Sequence, residues 1–163
     1  QKKVLNEIFI DMNSTTSMNR LLQGDVGSGK TIVAVITACL AVDSKVQCAI
    51  MAPTEILAIQ HFESFNIFTN ACPLKCELLL GRTPTKKRLK ILDNIVNGKV
   101  DLIIGTHAIL QRDVKFKSLG LVIVDEQHRF GVVQRSDLIG KGYNPHFLAM
   151  TATPMCRIGN LPE

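Results

Sequence analysis

The sequence predicts an α/β fold, a three-layer sandwich in which helices cover both faces of a mainly parallel β-sheet. Its 163 residues suit a single domain. The composition, 46% hydrophobic and 20% charged, supplies a sizeable core and argues against disorder. Short apolar runs alternate along the chain with longer amphipathic stretches, which is the pattern of right-handed strand–helix–strand units.

The predicted strands are short runs that are mostly β-branched or leucine-rich and mostly end at Gly, Asp, Pro or Thr. Such runs suit strands that are buried on both faces of a parallel sheet. Because parallel sheets bind ligands at the carboxyl ends of their strands, we expect the functional motifs there. The predicted strands are residues 20–23, 46–52, 77–80, 100–104, 121–124 and 146–150.

Helical periodicity fills most of the intervals between these runs. In the last of the periodic stretches, Leu89, Ile91, Leu92, Ile95 and Val96 gather toward one side, which predicts a buried helix face. The predicted helices are residues 2–11, 30–42, 54–68 and 84–97, with a polar linker at residues 12–19.

Charge, cysteine content and hydropathy exclude several classes of protein. With 19 basic and 14 acidic residues, the net charge is +5, which favours a polyanionic partner but equally serves solubility. The five cysteines are odd in number and lack paired zinc-ligand spacing, so we expect reduced thiols in a cytoplasmic protein. The longest apolar stretch, residues 31–42, is shorter than the roughly 20 residues that span a bilayer, so no membrane partner is expected.

A glycine-rich segment matches the phosphate-binding pattern G-x-x-x-x-G-K-[ST] at every fixed position. The glycines let successive backbone N–H groups turn toward a phosphate, and the following helix adds its positive end. Lys30 is expected to reach the β- and γ-phosphates, and the Thr31 hydroxyl to ligate Mg²⁺. The alternative is an ordinary glycine-rich turn. The predicted nucleotide-binding residues here are Gly24, Asp25, Val26, Gly27, Ser28, Gly29, Lys30 and Thr31.

Two adjacent carboxylates, Asp125 and Glu126, follow the apolar run at residues 121–124. Carboxylates at a buried strand end are costly unless a cation or a solvent-facing pocket accepts them. In a P-loop enzyme the first acid holds Mg²⁺ and the second orients the attacking water. We therefore predict Lys30, Asp125 and Glu126 as catalytic residues, with Asp125 on the metal and Glu126 as the general base. The alternative is an acidic pair that ends a strand at a turn.

The four histidines are too scattered in sequence to define a metal cluster. A lone histidine is more often structural than a ligand, and this is the expectation for His61 and His146. His128 differs, because it lies two residues beyond Glu126, where it can relay the state of the γ-phosphate.

Several motifs, in order along the chain, resemble those of superfamily 2 helicases. Residues 125–128 (DEQH) resemble the DExH-type motif II, and residues 52–58 (APTEILA) resemble motif Ia. Residues 105–107 (GTH) resemble a further DNA-contacting motif, and residues 151–154 (TATP) resemble motif III. More narrowly, the chain is similar over nearly its whole length to the RecG family of bacterial branch-migration helicases, most clearly at residues 18–31, 104–110 and 125–135.

The resemblance implies the first RecA-like, ATP-binding motor lobe of an enzyme that couples ATP hydrolysis to branched-DNA unwinding in recombination and repair. ATP and Mg²⁺ are the implied cofactors and DNA the implied partner. It further implies that Gln1 senses adenine, and that Gln127, His128, Thr151 and Thr153 couple the nucleotide state to lobe movement. The residues implied to track the DNA backbone are Pro53, Thr54, Glu55, Gly81, Arg82, Gly105, Thr106 and His107.

The chain departs from the family pattern after Pro154, where only Arg157 keeps its place. We assign residues 1–154 to the ATP-binding domain and residues 155–163 to an atypical tail. The family's second lobe carries an arginine finger, so the chain alone should bind Mg-nucleotide and hydrolyse it slowly unless a separate second lobe joins it. The alternatives are a non-catalytic nucleotide-binding remnant and a double-stranded DNA translocase like the transcription-repair coupling factor.

The densest positive cluster precedes and opens the last predicted helix, and it has two equal interpretations. It is a phosphate-facing surface whose DNA affinity falls steeply with salt, or it is a solvated helix face. Its members are Arg82, Lys86, Lys87, Arg88 and Lys90.

Overall fold

The structure is a computed structural model that describes residues 2–25, 27–68 and 74–152. The predicted domain limits of 1–154 extend past these ranges and stay a prediction. The predictions for Gln1, Val26, Cys72, Thr153, Cys156 and the tail 155–163 also lie outside the described residues.

The described residues form a six-stranded sheet in the order β1-β6-β5-β2-β4-β3, and all of its strand pairs are parallel. The strands match the predicted runs to within two residues, because most of these runs are apolar along their length. The α/β prediction is therefore confirmed. The strands are β1 (Asn19–Gln23), β2 (Gln47–Met51), β3 (Cys76–Leu79), β4 (Leu102–Gly105), β5 (Leu119–Asp125) and β6 (His146–Thr151).

The four predicted helices are each confirmed to within one residue at either end. Short 3-10 helices at His107–Leu110 and Gln127–Arg129 follow β4 and β5. No helix in the described part of the chain is both long and apolar enough to cross a membrane. The α-helices are α1 (Lys2–Met12), α2 (Lys30–Asp43), α3 (Glu55–Phe68), α4 (Thr85–Val96) and α5 (Val132–Ile139).

Helix α5 was not predicted, and its burial pattern explains why. It has eight residues, of which Leu138 is the only one that is buried. Val132 and Val133 are 69% and 71% exposed, so the apolar side chains do not mark one face. A short helix with one anchoring side chain leaves little periodic signal in the sequence.

Two hydrophobic cores separate the three layers. Ile8 of α1, Ala38 of α2 and Phe65 of α3 pack on one face of the sheet. On the other face, Ile91 of α4 and Leu138 of α5 pack in a second cluster. The predicted three-layer sandwich is thus confirmed, with α1, α2 and α3 on one side and α4 and α5 on the other.

The predicted apolar face of α4 is only partly correct. Ile91 and Ile95 are buried, and Leu92 packs partly against the same core. Leu89 and Val96 are instead 62% and 48% exposed. Residues four apart share a helix face, and Leu89 and Val96 lie outside the stripe that Ile91 and Ile95 define.

The described cysteines are free thiols, as expected from their number and spacing, and they are Cys39, Cys48 and Cys76. Burial raises the pKa of the Cys48 thiol, and it raises the pKa of Cys76 to about 12. Both thiols are protonated near neutral pH and so lack the thiolate form that reacts.

The carboxyl edge of the sheet divides into two halves. The strands β1, β6 and β5 are neighbours, and the glycine-rich loop, Thr151 and Asp125 lie at their ends. The strands β2, β4 and β3 form the other half, and they precede the predicted DNA-contacting segments. The sheet order therefore places the two sets of motifs side by side on one edge.

Candidate nucleotide site and adjacent DNA-facing surface

The loop after β1 is shaped by its glycines. The Gly24 N–H donates to the Thr151 carbonyl at 3.2 Å, which ties the loop to β6. A Cβ on Gly24 would lie 2.6 Å from Ser28 Oγ, so a side chain there would force the Ser28 hydroxyl to move. Gly27 and Gly29 have φ angles of 83° and 87°, in the left-handed region that favours glycine. The loop thus requires glycine for its backbone conformation.

Helix α2 begins at Lys30, directly after the loop. Lys30 Nζ donates to the carbonyl oxygens of Gly24 and Asp25, at 2.8 Å for the latter. These bonds hold the ammonium group across the loop, next to the helix end whose unpaired N–H groups attract anions. The positive charge and the helix end therefore act on the same small volume.

Asp125 ends β5 and presents a nearly buried carboxylate, with the residue 8% exposed. Its Oδ1 accepts a hydrogen bond from the Glu126 N–H at 2.9 Å. Glu126 has a φ angle of 49°, a left-handed conformation that costs a residue with a side chain on the order of 1–3 kcal/mol. This turn separates the two carboxylates and starts the 3-10 helix Gln127–Arg129.

His61 of α3 joins the acidic pair, a contact that the expectation of a structural histidine did not include. Its Nε2 lies 2.7 Å from Asp125 Oδ2, and both side chains are 11% exposed. The two residues are 64 positions apart in the chain. The sequence gives no sign of this contact, because it arises from the packing of α3 on the sheet and not from a short spacing along the chain.

One cavity of about 260 Å³ brings the predicted catalytic residues together. It lies where the loop, the amino end of α2, the end of β5 and the inner face of α3 meet. The predicted convergence of the glycine-rich loop and the acidic pair is therefore present in the fold. Residues that line the cavity include Gly27, Lys30, Thr31, His61, Asp125 and Glu126.

The donor set fits Mg²⁺ bound together with a nucleotide. The Thr31 hydroxyl and the Asp125 carboxylate offer hard oxygen ligands, and both line the cavity. Within the described ranges, no group of three or more His, Cys, Asp or Glu side chains is arranged to hold a metal ion. Mg²⁺ is commonly held by one or two protein ligands plus substrate phosphates, so this sparse set suits it.

The predicted coupling residues lie next to the cavity in different environments. His128 Nδ1 is 3.3 Å from Glu126 Oε2, and the two side chains are 42% and 23% exposed. Gln127 is half-buried and begins the 3-10 helix, while Thr151 is buried and accepts the Gly24 N–H. These contacts link the acidic pair to an exposed histidine and β6 to the glycine-rich loop.

The predicted DNA-contacting residues are not equally accessible. Gly105 and Thr106 are buried, and a Cβ on Gly105 would lie 2.1 Å from the Leu79 carbonyl oxygen. Glycine at this position is thus explained by the close approach of β3. His107 is exposed, and its ring centroid lies 5.7 Å from that of Phe130.

The remaining DNA-contacting candidates lie beyond β2 and β3. Thr54 and Gly81 are exposed and Pro53 is half-buried. Arg82 Nε lies 2.9 Å from Glu55 Oε2, so the two predicted contact residues pair with each other.

The basic cluster divides in the structure. Arg88 forms a bidentate pair with Asp113, with its side chain 16% exposed, so its charge is already engaged. Lys86, Lys87 and Lys90 are exposed. The cluster therefore contributes its exposed lysines to any phosphate-facing surface, and Arg82 contributes only in competition with Glu55.

The fold and the cavity together define a P-loop nucleotide-binding domain. The family model described as DEAD/DEAH box helicase matches residues 1–159, and the chain belongs to that family.

Among relatives, the chain is similar to bacterial proteins named ATP-dependent DNA helicase RecG. It is 55% identical to that of Streptococcus pneumoniae serotype 4 over 158 residues, covering 96% of this chain and 23% of that protein. It is 51% identical to that of Synechocystis sp. over 157 residues, covering 96% of this chain and 19% of that protein. The chain thus spans about a fifth of the length of these curated relatives.

Two solved structures are also similar. One is RecG bound to a three-way DNA junction, which is 46% identical with a TM-score of 0.84 and covers 96% of this chain and 21% of that chain. Mss116p, bound to ssRNA and AMP-PNP, is 20% identical with a TM-score of 0.70 and covers 86% of this chain and 33% of that chain. The latter likeness bears on the fold alone, and it agrees with the RecA-like motor fold.

Proposed function

We propose that the chain is the ATP-binding motor lobe of a RecG-like helicase that couples ATP hydrolysis to the unwinding of branched DNA. The observation that carries this proposal is the single cavity that unites Lys30, Thr31, Asp125 and Glu126. The 46% identity to RecG bound to a three-way DNA junction supports the choice of substrate. We place the activity in the cytoplasm, with the DNA.

The residues of the cavity divide the chemistry among themselves. The backbone N–H groups of the loop and Lys30 bind the phosphates, and Lys30 neutralises the charge that develops on them. Glu126 orients a water molecule and accepts its proton. Thr31 and Asp125 would hold Mg²⁺, which would neutralise phosphate charge when bound.

A complete hydrolytic site needs a further cation. No arginine is among the residues of the described chain that line the cavity. An arginine finger contributes roughly 10³–10⁵ in rate in P-loop systems. We therefore propose that a second motor lobe supplies one, and that the 163-residue chain alone binds nucleotide but turns it over slowly.

The adjacent half of the carboxyl edge is the proposed DNA surface. Exposed groups that follow β2, β4 and β3 include Thr54, Arg82 and His107. Contacts from such groups to phosphates position a motor on DNA without reading its base sequence. The buried Gly105 and Thr106 shape this surface from beneath.

Titration of a fluorescent ATP analogue, with and without Mg²⁺, tests the nucleotide site. Wild-type chain should bind it, and Lys30→Ala should weaken binding at least tenfold, because it removes the cation over the loop. Lys99→Ala, an exposed lysine distant from the cavity, is the matched control and should bind as wild type does. Equal binding by Lys30→Ala and wild type would overturn the loop assignment.

Mixing the chain with a separately prepared second lobe of a RecG relative tests the motor assignment. DNA-stimulated hydrolysis should rise with the added lobe and should be greater on a three-way junction than on linear duplex. Glu126→Gln should abolish that gain while nucleotide binding persists. Absence of any gain would favour the non-catalytic alternative, and equal stimulation by linear duplex would favour a translocase.

A further inference from the structure

We propose that His61 is a positioning residue that fixes the carboxylate of Asp125 for metal binding. The inference rests on the proposed function, because it assigns Asp125 to the metal site. It adds a residue of α3 to a site that the loop and the acidic pair otherwise define.

The hydrogen bonds of Asp125 define its orientation. Oδ1 accepts the Glu126 N–H at 2.9 Å, and Oδ2 contacts His61 Nε2 at 2.7 Å. Because an ionised carboxylate only accepts hydrogen bonds, Nε2 carries the hydrogen in this pair. One donor on each oxygen fixes the rotation of the carboxylate plane. The carboxylate has about four lone-pair sites, so about two remain for a ligand in the cavity.

His61 is itself held firmly. Ala58 lies three residues before it on α3, Phe65 four residues after it, and both are 0% exposed in the core beneath the helix. Residues at these spacings share one helix face, so His61 lies on the face that packs against the sheet. The imidazole, with its side chain 11% exposed, therefore lies between α3 and the end of β5, where it can orient Asp125.

A hydrogen-bond donor to Asp125 matters because this site offers only a few protein ligands to the metal. Groups that hydrogen-bond a metal ligand set its orientation, and their loss typically costs roughly 10–100-fold in metal affinity or activity. His61 acts here through Asp125, whereas Lys30 and the loop act on the phosphates directly. Its removal should thus weaken metal binding even when the chain is saturated with nucleotide.

The test measures Mn²⁺ affinity by electron paramagnetic resonance, with the chain saturated by a fluorescent ATP analogue. His61→Leu removes the donor. His61→Gln places an amide N–H near the position of Nε2, and His61→Asn places it one bond short. We expect about 10–100-fold weaker Mn²⁺ binding for Leu and Asn, and binding within about threefold of wild type for Gln. Glu63→Gln, exposed on the same helix, is the control and should match wild type.

The outcomes separate this inference from the proposed function. If wild-type chain binds no nucleotide-dependent Mn²⁺, the proposed function fails and this inference fails with it. If wild type binds Mn²⁺ and the Leu and Asn variants bind it equally well, only the role of His61 is overturned. Tighter Mn²⁺ binding by His61→Leu would mean that the histidine competes with the metal for Oδ2, and it would also overturn the positioning role. If circular dichroism shows that His61→Leu is unfolded, the difference between the two amide variants decides the question.

Discussion

Glu55 and Arg82 form an ion pair that joins the segments following β2 and β3, with Arg82 Nε 2.9 Å from Glu55 Oε2. The Arg82 side chain is 71% exposed and that of Glu55 is 34% exposed. Both residues belong to the surface proposed to contact DNA phosphates. A carboxylate on that surface repels phosphate, and here it also neutralises a neighbouring cation. Glu55 therefore competes with the DNA phosphates for Arg82.

Arg82→Ala should weaken binding of a labelled three-way junction and reduce its dependence on salt. The plot of log affinity against log salt concentration has a negative slope, and loss of one phosphate contact reduces the magnitude of that slope by about 0.9. Fluorescence anisotropy at several salt concentrations measures both effects. An unchanged slope would show that Arg82 does not contact phosphate in the complex.

Glu55→Gln should have the opposite effect. An exposed ion pair is worth about 0.2–1 kcal/mol, so releasing Arg82 should tighten junction binding by roughly 1.4- to fivefold. The gain should vanish in the double variant with Arg82→Ala, which is the matched control. Weaker binding by Glu55→Gln in the same assay would mean that Glu55 supports the DNA-bound arrangement.

Gly27 offers a test of backbone conformation in the loop. Its φ is 83°, and a Cβ built there would have no atom within 4 Å, so an added methyl group meets no clash. Gly27→Ala should nevertheless weaken ATP binding about five- to thirtyfold, because left-handed backbone costs roughly 1–2 kcal/mol with a side chain.

The matched control is Gly27→Asn, since asparagine adopts the left-handed region at lower cost. Its affinity for the fluorescent ATP analogue should lie between those of wild type and Gly27→Ala. Equal, strong binding by all three proteins would show that the loop does not need this conformation to hold phosphate.

Gln47 joins loops at the amino end of the sheet, away from the cavity. Its Nε2 donates to the carbonyls of Ile95 and Val100, at 3.0 and 2.8 Å. Its Oε1 accepts the N–H groups of Lys117 and Ser118, at 2.9 and 3.1 Å. The residue is 6% exposed, and removing its amide takes this partner from the Val100 carbonyl and from the N–H groups of Lys117 and Ser118, whereas the Ile95 carbonyl keeps the Gly98 N–H.

Gln47→Leu should therefore lower the free energy of unfolding by about 1–3 kcal/mol, the cost of leaving a buried polar group without a partner. Urea denaturation followed by circular dichroism measures the change. Gln111→Leu replaces an exposed glutamine and should alter stability by less than about 0.5 kcal/mol. A similar loss of unfolding free energy in both variants would show that the buried Gln47 amide stabilises the fold no more than an exposed glutamine does.

The sequence predicted elements whose signal is local, and it missed relationships that packing creates. The strands, four helices and the glycine-rich loop each have a pattern within a few consecutive residues. His61 and Asp125 are 64 positions apart, and their contact depends on how α3 lies on the sheet. Pairing of Glu55 with Arg82 likewise requires the adjacency of two connections, which the strand order determines. The resemblance named both of these residues as DNA contacts and gave no sign that they bind each other.

His146 links the start of β6 to the polar linker and makes stability depend on pH. Its Nδ1 accepts the N–H of Met18 at 2.9 Å, which requires this nitrogen to be unprotonated. Burial lowers the pKa of His146 below its ordinary value of 6.5, and the nearby Asp11 carboxylate opposes that shift. The unfolded chain therefore binds a proton at a higher pH than the folded chain does. The free energy of unfolding should fall as pH drops below about 6.5, and the fall should end below the folded-state pKa.

His146→Asn keeps an acceptor near the Nδ1 position and removes the titrating group. Urea denaturation should be compared between about pH 7.5 and about pH 5, roughly one pH unit or more on either side of the ordinary histidine pKa. The loss of stability over this range should be smaller for the variant than for wild type. Asp11→Asn is the control. The Asp11 pKa is lowered, chiefly by its hydrogen bond from Arg20, so its own contribution is lost only below about 3.8. Asp11→Asn should therefore retain the loss of stability between pH 7.5 and pH 5, because His146 stays in place without the carboxylate that opposes its shift. Parallel pH profiles for wild type and His146→Asn would show that the hydrogen bond to Met18 is not coupled to protonation.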